Sequence, residues 1–158
     1  MDSTSSITQL STEEALQFLS ERSFGRLAVS LQGKPDIFPV NFAMHAKSND
    51  DVVAYIRTSP GNKLFATASG SHLALETDTI QDATATSAPD TTATSAIVYG
   101  VGRIVQHHEE LELVDSLGLK AWIAERKPEV VAIDVEHISG RTFVLGPGPE
   151  TTIDETPD

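Results

Sequence analysis

The chain has 158 residues, 39% of them apolar, and carries 23 acidic against 11 basic side chains for a formal net charge of −12. That length suits one domain able to bury a core without covalent staples, and the absence of cysteine excludes disulfides, thiolate metal sites and a cysteine nucleophile. A negative field repels nucleic acid and anionic lipid. No apolar run is long enough to cross a bilayer, and Met1-Asp2-Ser3-Thr4 lacks the basic start of a secretory signal. The expectation is a cytoplasmic protein that binds neither nucleic acid nor membrane.

Residues 1–9 are polar and are expected to fray. Ser11-Thr12-Glu13-Glu14 forms a capping box, Ser11 with Glu14, and Ala15, Leu16, Phe18 and Leu19 supply the apolar face of the helix that follows. Phe24 to Leu31 and Pro35 to His45 are strands of one hairpin, joined at Gln32-Gly33-Lys34. Val52 to Thr58 is a third strand. Ser59 as N-cap and Pro60 at the first turn then open a short helix that Gly70 ends.

His72 to Thr77 is a fourth strand. Residues 79–95, almost all Thr, Ala, Ser, Asp and Pro, are expected to form a long mobile hairpin loop. Ala96 to Val105 is a fifth strand, in which Gly100 and Gly102 predict a bulge or a close backbone approach. Glu109 to Leu117 is a helix with Leu113, Val114 and Leu117 inward and Gly118 as its stop. Val130 to Ile138 is a sixth strand, continued by Arg141 to Leu145. Residues 146–158, rich in Pro, Gly and acid, are expected to be a disordered tail. Hairpin-linked strands with few helices predict a mainly β domain over 10–145, a six-stranded antiparallel sheet closing into a barrel.

The stretch most able to carry chemistry is Arg57-Thr58-Ser59-Pro60-Gly61-Asn62-Lys63. A strand delivers Arg57 to a helix start, where unpaired backbone N–H groups and a partial positive charge suit a phosphate. Arg57 can grip two oxygens, Lys63 adds a compact charge, and Thr58 and Ser59 can donate hydroxyls. Read alone, the same stretch also suits a surface turn with two solvated bases. Pro39 interrupts the ladder chemistry of an otherwise good strand, marking an edge or bulge. Alternation places Ile37, Pro39 and Asn41 on one face and Phe38, Val40 and Phe42 on the other. The five histidines show no metal-ligand spacing, so no metal site is expected. Neither Gly-x-Ser-x-Gly nor a strand-borne Gly-x-Gly-x-x-Gly is present.

Gly25-Arg26-Leu27-Ala28, Pro35 through Pro39-Val40-Asn41-Phe42, Arg57-Thr58 with Lys63, Gly102-Arg103, Trp122 and Ile138-Ser139-Gly140-Arg141 stand in an order that resembles the pyridoxamine 5′-phosphate oxidase-like family. The short actinobacterial-type branch of flavin-binding split barrels is the better match, over about residues 10–145. The resemblance implies a split barrel working as a homodimer, with flavin mononucleotide (FMN) in clefts at the dimer interface. It implies that Ile37 to Phe42, including Pro39, Val40, Asn41 and Phe42, lies along the isoalloxazine ring. Arg57, Thr58 and Lys63 would hold the phosphate with Asn62 nearby, and Trp122 and Arg141 would reach the partner's cofactor.

The basic and aromatic residues with which longer relatives hold a vitamin B6 phosphate have no counterpart here. Gly146-Pro147-Gly148-Pro149 and an acidic tail stand in that region. The activity expected is therefore FMN-dependent oxidoreduction of a small-molecule substrate or electron acceptor other than vitamin B6. A flavin or haem carrier without catalysis is the alternative from another class. A deazaflavin reductase is a third reading, and its long anionic cofactor tail would call for more bases than this chain has.

Overall fold

Ser11 starts the first helix as its sequence predicts. Its hydroxyl accepts from the Glu14 backbone at 3.1 Å, and the Glu14 carboxylate accepts from the Ser11 backbone at 3.0 Å. The computed structural model describes residues 6–59, 63–82, 91–119 and 129–145. In chain order the elements are β1 (Ile7–Gln9), α1 (Thr12–Ser20), β2 (Phe24–Leu31), β3 (Lys34–Ser48), β4 (Asp51–Thr58), α2 (Lys63–Ala68), β5 (His72–Gln81), β6 (Thr91–Ile104), α3 (His108–Ser116) and β7 (Glu129–Leu145).

The strands pair antiparallel in the order β1-β7-β4-β3-β2-β5-β6, and β6 pairs back onto β7. Six strands, β2 to β7, thus close a ring, and the chain adopts the split-barrel fold. The interior holds Leu27, Val40, Phe42, Ala54, Ile56, Leu75, Val98, Val131 and Ile133, capped by Leu16 and Leu19 of α1 and Leu64 and Ala68 of α2. A second apolar cluster lies outside the ring, where Tyr55, Val105, Val130 and Ala132 are covered by Val114 of α3.

Two expectations are corrected. The first concerns the N-terminus. Ile7–Gln9, within the segment expected to fray, forms β1 against Arg141–Phe143. β7 outruns β4, whose pairing ends at Asp134, and its open edge captures this short segment through Val144 N–H to Ser6 C=O (2.8 Å) and Leu10 N–H to Gly140 C=O (2.9 Å).

The second correction concerns the expected loop over 79–95, which is largely strand. Thr79 pairs with Thr94 and Gln81 with Thr92. The hairpin there extends past the core, so it needs little apolar content, and its threonines favour extended backbone. Residues 83–90 lie outside the described residues. β7 runs without a break through Ser139-Gly140, in line with the expected continuation by Arg141 to Leu145. The tail 146–158 also lies outside the described residues.

The strand glycines act by close approach. A Cβ on Gly102 would collide with the Ala68 carbonyl oxygen, and one on Gly100 with that of Asp134. Gly100 also borders the register shift between β6 and β7. Gly102 is the docking point for the end of α2: Gly70 N–H donates to its carbonyl at 2.8 Å, and its own N–H donates to Ser71 C=O at 2.9 Å.

Candidate functional site at the opening between β3 and β4

β3 carries two different ladders along its length. Residues 34–41 pair with β2, and Phe42 to Ser48 pair with β4. Phe42 N–H donates to Ser23 C=O at 2.9 Å, so the backbone groups of Phe42, and by alternation those of Val40 and Phe38, point toward β2. The backbone of Ile37 and Pro39 then points the other way, to the edge that β4 has left. Ile37 N–H is satisfied there by the neighbouring Asp36 carboxylate at 2.8 Å. Pro39 therefore sits where its missing N–H costs no ladder bond.

β4 leaves β3 after Ile56. Arg57 and Thr58 pair instead with Val130 and Glu129 of β7. An opening results, with the edge of β3 on one side and the end of β4 on the other. The predicted face assignment along β3 holds: Val40 and Phe42 are in the core, Pro39 is exposed and Asn41 half-buried on the outer face. Val40 and Phe42, with side chains in the core and backbone groups turned to β2, leave that edge to the residues between them.

Arg57 and Thr58 point to opposite faces of β4, as neighbours on a strand must. Arg57 faces outward, where its Nη2 meets Asp115 Oδ1 of α3 at 2.5 Å. Thr58 follows Ile56 inward and is buried. The Arg57 Nε and Thr58 Oγ1 atoms are both buried without a hydrogen-bond partner. Native interiors seldom leave such atoms unpaired, and two on consecutive residues at a strand end suit an acceptor arriving at the strand edge.

Lys63 is the first residue of α2 and is exposed. The helix is held by Leu64 and Ala68 in the core and by the Gly102 contact. The expected helix start at Pro60 and the candidate Asn62 lie outside the described residues, as does Trp122. Arg141 is not brought to this site. It pairs with Gln9 and Ser95, eleven positions along β7 from the partner of Arg57, a separation of up to roughly 35 Å along an extended strand.

Two features escaped sequence reasoning. One is Asp115, which meets Arg57 across 58 positions of sequence, a span that no local motif reports. The other is a cleft of about 440 Å³ beside Asn41 and Ala43, walled by Arg22 at the end of α1 and by Leu117-Gly118-Leu119 after α3. The Arg22 guanidinium lies 4.7 Å from the centre of the Phe18 ring.

α3 is fixed above the site by a polar network. Tyr55 OH donates to Glu110 at 2.9 Å, and Arg103 donates to both Glu110 oxygens at 2.8 and 2.6 Å. Arg103 Nε also reaches Asp134 at 2.8 Å. Burial, reinforced by the bond to Glu110, pushes the Tyr55 phenol up to about 12. The Arg103 hydrogen bonds hold the Glu110 carboxyl below its ordinary range. Among the described residues no group of three His, Asp or Glu side chains is placed to hold a metal ion, and no helix is long and apolar enough to cross a membrane.

The family model described as pyridoxamine 5′-phosphate oxidase matches residues 11–142. A provisional pyridoxamine 5′-phosphate oxidase from Corynebacterium glutamicum is 35% identical, with 93% of this chain and 98% of that one covered and a TM-score of 0.75. A conserved protein of unknown function from Corynebacterium diphtheriae is also 35% identical, covering 87% and 98% at a TM-score of 0.72. An FAD-binding protein from Mycobacterium smegmatis is 27% identical, covering 88% and 100% at 0.73. No curated protein matches. With the family model spanning nearly the whole barrel and α1, this chain belongs to the pyridoxamine 5′-phosphate oxidase family.

Proposed function

We propose that the protein is an FMN-dependent oxidoreductase, with the flavin phosphate at Arg57, Thr58 and Lys63 and the isoalloxazine ring along Ile37 to Phe42. One observation carries the reading: the buried, unpartnered Nε of Arg57 and Oγ1 of Thr58 beside the opening where β4 leaves β3. A buried polar group left unpaired costs about 1–3 kcal/mol, and a phosphate seated at that strand edge would relieve both. Lys63 would add the charge that an acidic protein otherwise withholds from a dianion. The flavin, when bound, supplies the redox chemistry, and the protein supplies orientation and electrostatics. The Pro39 edge would carry the ring, with Asn41 beside it on the outer face. No side chain is assigned as general acid or base.

The working unit in this reading is a cytoplasmic homodimer. Ile7, Phe143, Ala93 and Ile80 fall in register across β1, β7, β6 and β5. They face outward, since the alternate residues Thr77 and Ala96 are buried, and Ile7 and Ile80 are 46% and 66% exposed. Such a row suits an interface with a second copy. Arg141 is on the same face, where it would serve the partner's cofactor, and Trp122 is assigned to that role with it. The substrate is a small molecule or electron acceptor other than vitamin B6. A second reading, FAD in place of FMN, is favoured by the FAD-binding Mycobacterium smegmatis neighbour.

The test is an absorbance spectrum of the purified protein and the mass of the ligand it releases. Flavin bands with the mass of FMN are expected, whereas FAD would support the second reading. Failure of the apo protein to retain either flavin on gel filtration would contradict both. Reduced flavin consumed in proportion to an added acceptor separates an enzyme from a carrier.

A further inference from the structure

We infer that Asp115 is a specificity-determining residue of the phosphate site, an internal anion that occupies Arg57 until a ligand phosphate displaces it. The inference rests on the phosphate placement proposed above. Asp115 Oδ1 lies 2.5 Å from Arg57 Nη2, and the two side chains are unequally anchored: Arg57 is 15% exposed, Asp115 70%. The guanidinium is therefore the fixed member and the carboxylate the one free to leave. Nε of Arg57 stays unpartnered while Nη2 is engaged, so the carboxylate satisfies only part of the donor fork. A phosphate with three acceptor oxygens can take both positions.

The position of Asp115 bounds the effect of this exchange. It lies in the last turn of α3, and the next residues, Leu117-Gly118-Leu119, form one wall of the cleft beside Asn41. The rest of α3 is held independently by Val114 in the outer cluster and by Glu110 on Tyr55 and Arg103. Leu117 and Leu119 pack in that same cluster, so losing the Asp115 contact removes one tie of the last turn and leaves the helix and the cleft wall docked.

Two anions competing for one cation repel each other, and the penalty disappears when one is neutralised. At contact distance, even with full aqueous screening, that repulsion is worth about fivefold in affinity per unit of ligand charge. Asp115→Asn keeps an oxygen acceptor for Arg57 and removes only the charge. FMN affinity of the full-length apo protein should rise at least about fivefold, with riboflavin, which lacks the phosphate, unchanged. Stabilisation by inorganic phosphate, read as a rise in Tm, should also grow in Asp115→Asn and vanish in the Arg57→Gln/Asp115→Asn double variant.

Unchanged or weaker FMN binding in Asp115→Asn would overturn the inference, because Asp115 would then be orienting Arg57. An equal gain for riboflavin would overturn it too. If the wild-type protein retains no flavin, the cofactor reading fails, and the phosphate measurement still decides the role of Asp115: growth that depends on Arg57 supports it, and no growth refutes it.

Discussion

At Thr58 the proposed phosphate placement sets binding against stability. Its hydroxyl is buried without a partner, so it lowers the stability of the empty protein. Thr58→Val keeps the shape and removes the unsatisfied group. The empty variant should be as stable as the wild type or more so, by up to about 1 kcal/mol in urea unfolding. FMN binding should weaken severalfold in the same variant. A loss of both stability and affinity would mark Thr58 as a packing residue. The residue types of the candidate site stood out in the sequence because charge is scarce: Arg57 and Lys63 are two of only 11 bases. Their disposition was not legible, because the strand sends Arg57 and Thr58 to opposite faces and because Asp115 comes from a distant helix.

At the level of elements, α2 and α3 flank the candidate site, and each has a close contact beside its apolar packing. Gly102 admits the end of α2 against β6. In Gly102→Ala the added methyl meets backbone, which cannot rotate away. The cost should be about 1–3 kcal/mol of stability, and FMN affinity should fall as α2 carries Lys63 out of place. Unfolding in urea and a flavin titration check the two effects, and unchanged values for both would contradict the contact.

α3 depends on Tyr55 and Glu110. The phenol ionises near 10 in an unfolded chain and at about 12 in the fold, so between those values the native state keeps a proton that the unfolded state has lost. Stability contributed by this group is present below pH 10 and falls as the pH rises toward 12. Tyr55→Phe should cost about 1 kcal/mol at neutral pH and should flatten that alkaline decline. A decline of the same size in the variant would assign it to other groups.

Strand positions followed from alternation wherever one face is buried, as in β2 and β3. They did not follow over Thr79–Gln81 and Thr91–Ser95, where the hairpin leaves the core and the alternation loses its apolar half. β1 was illegible for another reason: three residues are too few for a period, and the segment is a strand only because β7 offers an edge.

Across the whole molecule, the six strands and the order of the elements were legible, because the β2–β3 and β3–β4 hairpins are local and their turn residues mark them, whereas the pairings that close the ring, β2–β5, β4–β7 and β6–β7, span long stretches of sequence. The split that makes a site could not be read, since it depends on where β4 abandons β3 for β7. The outward row from Ile7 to Ile80 was hidden by the same polar stretch that concealed the strand ends. If that row joins two copies, Ile80→Lys should turn a dimer into a monomer in sedimentation, with the fold intact by circular dichroism. A wild-type protein that sediments as a monomer across a wide concentration range, with flavin bound, would contradict the dimer. The central claim is that the end of β4 and the start of α2 hold a flavin phosphate. Its most direct test is a paired titration of the wild type and Lys63→Ala with FMN and with riboflavin. The substitution should weaken FMN by roughly tenfold to a hundredfold, the worth of one hydrogen bond to a charged group, and should leave riboflavin affinity nearly unchanged. Equal loss for both ligands, or loss for neither, would contradict it.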